Sequence, residues 1–98
     1  MKQFFVDIKL PAEFSEKFVA QIPAQHEQIE QMMESGTIRS YALSNDQSRL
    51  YMVVDAESSS NVDDILQEFK LYEYLESNIT ELMFYKEAPE QFPVISLN

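Results

Sequence analysis

Gly36-Thr37-Ile38-Arg39-Ser40-Tyr41-Ala42-Leu43, then Ser44-Asn45-Asp46-Gln47-Ser48, then Leu50-Tyr51-Met52-Val53-Val54-Asp55 is the stretch that decides how this chain folds. Two runs rich in aliphatic and aromatic residues flank a polar cluster of hairpin length, which predicts two antiparallel strands joined by a turn. Gly36 is the sole glycine of the chain. It follows a helical pattern and precedes a β-like run, where a helix ends in the left-handed conformation that a side chain opposes.

Upstream of the hairpin, residues 3–10 alternate. Phe4, Val6, Ile8 and Leu10 point one way and Phe5, Asp7 and Lys9 the other, as in a strand with one face on a core. Pro11 ends that strand and suits the first turn of a helix, with Glu13 nearby to complement the helix dipole. The helix is expected to run to about Ser35, with Phe14, Phe18, Ile22, His26, Ile29 and Met33 as its inward stripe. Pro23 interrupts it and predicts a kink or a split.

Downstream, Ser60 and Asp63 are spaced as a capping box at the start of a second helix, whose stripe is Val62, Ile65, Leu66 and Phe69. Leu71-Tyr72-Glu73-Tyr74-Leu75 is an aromatic connection, and Asn78 to Lys86 reads as the last strand. The order β-α-β-β-α-β is the split unit of ferredoxin-like α+β folds, with a four-stranded antiparallel sheet. In the hairpin, Ile38 and Ala42 are assigned to one face and Arg39, Tyr41 and Leu43 to the other. Two helices cover only one face of such a sheet. Apolar residues on both faces therefore imply that the bare one is covered too, most simply by a second copy of the chain. The tail of residues 88–98 carries Phe92, Val94, Ile95 and Leu97, and is expected to dock on that partner.

Ninety-eight residues with no linker or repeat make one domain. The absence of cysteine excludes a disulfide scaffold, a thiolate metal site and a thiol nucleophile. No apolar run reaches the roughly 18 residues of a membrane span, and the early charges in Met1-Lys2-Gln3-Phe4-Phe5-Val6-Asp7 do not suit a signal peptide. A cytoplasmic protein is expected. The net charge of −10 comes with no basic stripe, which argues against nucleic acid and anionic lipid as partners. An anionic substrate would need a locally placed cation, and Arg39 and Arg49 are the only arginines.

His26 is the only histidine. It reads either as a general acid or base near neutral pH or as a hydrogen-bonded core side chain. A metal site is not expected from one histidine without cysteine. Arg39 and Tyr41, two apart on a strand, would share a face and could hold a carboxylate. Equally, Arg39 could form an internal ion pair, with Asp7 a candidate partner. Glu27, Glu30 and Glu34 lie along one helix flank and read as an acidic site or a solvated face. Tyr72 and Tyr74 either line a pocket or pack beneath the last strand.

Lys9-Leu10-Pro11, Gly36-Thr37-x-Arg39, Asp55-Ala56-x-Ser58 and Leu71-Tyr72-x-Tyr74-Leu75, in this order and spacing, resemble muconolactone isomerases. The resemblance implies a ferredoxin-like fold assembled through its sheet faces as a dimeric α+β barrel. It also implies cofactor-free movement of a proton within a small unsaturated lactone that bears a carboxylate. On that footing His26 or Glu27 would shuttle the proton, and Arg39, Tyr41, Tyr51 and Tyr74 would bind the substrate. The chain departs from the family pattern at Gln25-His26, where an acidic pair is expected, at Ile38 in place of an aromatic, and at Ser40 in place of a histidine. A non-catalytic binding or structural dimer of the same fold is the alternative.

Overall fold

Ser15 sets where the first helix begins. Its Oγ accepts the Phe18 N–H at 3.1 Å and its carbonyl accepts the Val19 N–H at 2.9 Å, so α1 runs Glu16–Glu34 and starts a full turn later than Pro11 would put it. At the other end Gly36 adopts φ +83°, the left-handed position expected of it, and its N–H donates to the Met33 carbonyl at 3.1 Å. The protein is described here by a computed structural model, covering residues 1–88. The docking expected for the tail falls on residues 89–98, outside the described residues.

The elements are β1 (Lys2–Lys9), α1, β2 (Ile38–Leu43), β3 (Arg49–Ala56), α2 (Ser59–Gln67), a 3₁₀ turn (Tyr72–Tyr74) and β4 (Glu76–Glu81). They form one antiparallel sheet in the order β2-β3-β1-β4, the ferredoxin-like arrangement. β4 starts earlier and ends earlier than the sequence pattern implied: Met83 and Phe84 lie beyond it and are exposed. The α2 cap is also displaced. Ser58, not Ser60, caps the helix by accepting the Asn61 N–H at 3.1 Å, and Asn61 Oδ1 accepts the Glu57 N–H in return.

The core lies between the helices and one sheet face, built from Phe4, Val6 and Ile8 of β1, Met52 and Val54 of β3, Ile38 of β2, and Val62, Leu66 and Phe69. The α1 stripe is rotated from the expected one. Phe18, Gln25 and Ile29 are buried, whereas His26 is exposed. The reason is helix phase: each step of four residues overshoots a turn by about 40°, so His26 lies about 80° around the helix from Phe18, while Gln25 and Ile29 lie within about 20° of it. The helix is continuous through Pro23, which overturns the predicted split. Pro23 is exposed, so its ring projects to solvent and not into a packed neighbour.

The hairpin also differs from simple alternation. β2 and β3 pair Ile38 with Val54 and Ser40 with Val53, leaving Arg39 as the extra residue of a bulge. Beyond it the phase is reversed. Tyr41, opposite Met52, packs on the helix-side core, and Ala42, opposite Tyr51, joins the bare face. Arg39 therefore does not share a face with Tyr41, and Ile38 does not share one with Ala42.

Candidate functional site

The sheet and α1 diverge where the strand ends Leu10 and Leu50 meet the helix start, and an open cleft of about 400 Å³ lies between them. Phe14, Phe18 and Ile22 of the α1 segment form one wall, Leu43 and Leu50 the other, and Leu71 closes the far side. A second opening of about 490 Å³ shares Leu10, Phe14 and Gln47 with the first, and adds Lys9, Arg49, Asp46 and Ser48. The two openings meet at those three residues, and Lys9, Arg49, Asp46 and Ser48 put charged and polar groups on the second. Phe14 stacks on Phe18 at 4.5 Å between ring centroids, and Tyr74 meets the edge of Phe18 at 5.4 Å, so an aromatic cluster backs the interior.

Along the same α1–β2 seam, one helical turn beyond Ile22, His26 Nε2 lies 3.7 Å from Glu30 Oε1. Tyr41, two residues before Leu43, donates from its hydroxyl to that oxygen at 3.5 Å. Burial, reinforced by the Glu30 charge and hydrogen bond, pushes the Tyr41 phenol above its usual 10. It is thus a neutral donor at physiological pH.

The remaining expected site residues are dispersed. Glu27 lies on the opposite flank of α1, beside Gln28, Gln31 and Lys70. Tyr51 is on the bare sheet face, stacked on Phe5 at 5.9 Å. Tyr74 backs the cleft through Phe18, with its phenol raised by partial desolvation and by Glu73. Arg39 sits at the far end of the sheet, 4.0 Å from Asp55 and 3.9 Å from Glu87, beside a shallow hollow of about 220 Å³ with Gly36 and Thr37. Asp7 does have an arginine partner, but it is Arg49, at 3.4 Å, and not Arg39.

Periodicity alone does not separate the cleft walls from the core: Phe14 and Ile22 fall on the expected inward stripe of the helix, yet line the cleft. The position of Phe14 and Leu50 at element ends, beside Leu10-Pro11, is the available signal. Gln25 is missed by periodicity as well. Its Oε1 accepts the Leu71 N–H at 3.0 Å, and its Nε2 donates to Gln28 Oε1 at 3.1 Å. Gln28 in turn binds the Glu68 carbonyl and the Lys70 N–H. The position where a family acid was expected is therefore structural here.

An α+β ferredoxin-like domain, with an open apolar cleft between its first helix and its sheet, is the class these features define. Within that class the chain belongs to the muconolactone delta-isomerase family, whose pattern it matches over residues 3–88. A crystal structure of muconolactone isomerase at 3.3 Å resolution is similar in fold, with a TM-score of 0.66, 22% identity, and coverage of 92% of this chain and 97% of that one. No curated protein matches the chain. No helix among the described residues is long and apolar enough to cross a membrane.

Proposed function

We propose that this protein takes a small lactone-type carboxylate into the cleft between α1 and the sheet and moves a proton from one of its carbons to another without a cofactor. The observation that carries this reading is the cleft itself: about 400 Å³, open, and walled by Phe14, Phe18, Ile22, Leu43 and Leu50 in a chain of the muconolactone delta-isomerase family. Pockets of this character hold small ligands whose bodies are apolar. His26 is the proton carrier in this scheme, Glu30 orients and charge-complements its imidazole, and Tyr41 donates to the same carboxylate. Glu27 is the alternative carrier.

The test is incubation of the full-length protein with muconolactone in D₂O, followed by NMR for double-bond migration and deuterium uptake. Turnover is expected with the wild type, with a loss on the order of a hundredfold in His26→Ala and little change in Glu27→Gln. A pH–rate limb that vanishes in His26→Ala would identify the carrier. Binding without turnover would support a second reading, a non-catalytic binder of the same fold. That reading is favoured by one observation: His26 and Glu27 flank α1 without lining the cleft.

A further inference from the structure

We infer that Gln25 and Gln28 are positioning residues of the cleft: they fasten the α2–β4 connection to α1 and so fix Leu71, the far wall, which limits the size of the ligand; this rests on the cleft being the binding site. Among the residues that line the cleft, Leu71 alone comes from beyond the β2–β3 hairpin. It lies between α2 and the 3₁₀ turn, where no strand or α-helix holds the backbone. The facing walls are carried by the α1 segment and by the paired strands β2 and β3. The far wall is therefore the one whose place depends on side chains.

Those side chains come from α1. The Lys70 and Leu71 N–H groups have no backbone acceptor among the described residues. Gln28 Oε1 accepts from the Lys70 N–H at 3.3 Å, and Gln25 Oε1 from the Leu71 N–H at 3.0 Å. Gln28 Nε2 donates to the Glu68 carbonyl at 2.8 Å, and Gln25 Nε2 donates to Gln28 Oε1 at 3.1 Å. The linked amides thus grip the three successive peptide groups that join Glu68 to Leu71. Gln25 and Leu71 are both buried, so the bond between them is shielded from competing water.

Loss of either amide frees a backbone N–H that must turn toward water to be satisfied, and the backbone that turns is the one carrying Leu71. The downstream end of the connection stays pinned, because Tyr74 meets the edge of Phe18 at 5.4 Å. The wall then moves about that contact and the cleft lengthens at its far side. Neither glutamine lines the cleft, so their effect on a ligand passes through Leu71.

The experiment titrates the full-length ¹⁵N-labelled protein with benzyl alcohol and, separately, with 2-naphthalenemethanol, following the Leu10, Phe14 and Leu50 amide signals. These neutral probes differ by one fused ring, and the quantity read is the ratio of naphthyl to benzyl affinity. Leu71→Ala should raise that ratio roughly tenfold, because the second ring then finds apolar surface to bury against. Gln25→Leu and Gln28→Ala should each raise it severalfold. Val62→Ala, which weakens the core away from the lining, should leave it at the wild-type value. A ratio that rises in Leu71→Ala but stays put in the glutamine variants would overturn the clamp and keep the cleft. An equal rise in Val62→Ala would overturn it as well, since general loosening would then suffice. An unchanged ratio in Leu71→Ala would remove Leu71 as the wall and the inference with it, while the binding itself kept the cleft. No shift with either probe would overturn the cleft reading and the inference together.

Discussion

Gln25 and His26 are neighbours in sequence, but Gln25 is 6% exposed and bonded to the Leu71 N–H, while His26 stands in solvent on the α1–β2 seam. Phe14 and Ile22 drew the expected stripe toward His26 because they are large and apolar. In the folded chain they serve the cleft and remain partly exposed. Sequence periodicity registers an apolar side chain without distinguishing a core wall from a pocket wall, so the candidate site was legible only in fragments. The different fates of these two residues give a direct test. Gln25→Leu keeps the volume but strips the acceptor from a buried N–H, and should destabilise the fold by about 1–3 kcal/mol. His26→Ala, at an exposed position, should change stability by no more than about 0.5 kcal/mol. Urea denaturation of the two variants beside the wild type checks both, and equal effects would remove Gln25 from its structural role.

At the scale of elements, most of the fold was legible. The sheet strands alternate with period two, Gly36 marks the helix end at φ +83°, and Ser44–Ser48 forms the hairpin turn. The bulge at Arg39 was not legible. A β-bulge reverses the phase of every later residue in its strand, and nothing in Ile38-Arg39-Ser40, neither glycine nor proline, announces one. That single extra residue moved Tyr41 to the helix side and separated it from Arg39. Pro23 is the converse case, a residue that announces a break where the helix does not split. A proline inside a helix removes one backbone bond and strains the preceding turn, yet α1 continues through it. Since the helix already holds this geometry without the bond, Pro23→Ala should restore the donor and raise stability by about 1–3 kcal/mol. A thermal or chemical melt showing no gain would mean that the α1 backbone near Pro23 is adapted to the ring.

For the whole molecule, the unresolved demand is the sheet face that no helix covers. Phe5 and Tyr51 stack at its centre, and Val53 between the strands is only 6% exposed even in the single chain. The charges on this face are matched within the chain: Asp7 with Arg49, Asp55 with Arg39, and the Gln3 side-chain amide donating to Asp55 at 3.1 Å. Covering the centre of such a face leaves these four charges paired, while Lys9 and Glu76, at its hairpin end, would lie at the rim in solvent. We therefore expect a homodimer through the Phe5–Tyr51–Val53 centre, with a total buried area above roughly 1,000 Å², the scale of a stable interface. The cleft between α1 and the sheet lies on the other side of the strands, so pairing through the centre of this face leaves it open. Sedimentation equilibrium at micromolar concentration should give twice the 11.5 kDa chain mass. Tyr51→Glu should shift it toward the monomer while far-UV circular dichroism stays unchanged, because the new carboxylate on the bare face opposes association and leaves the helix-side core untouched. A wild-type chain that sediments as a monomer would show that this face is satisfied by solvent alone, with its paired charges and stacked rings sufficient to keep it soluble.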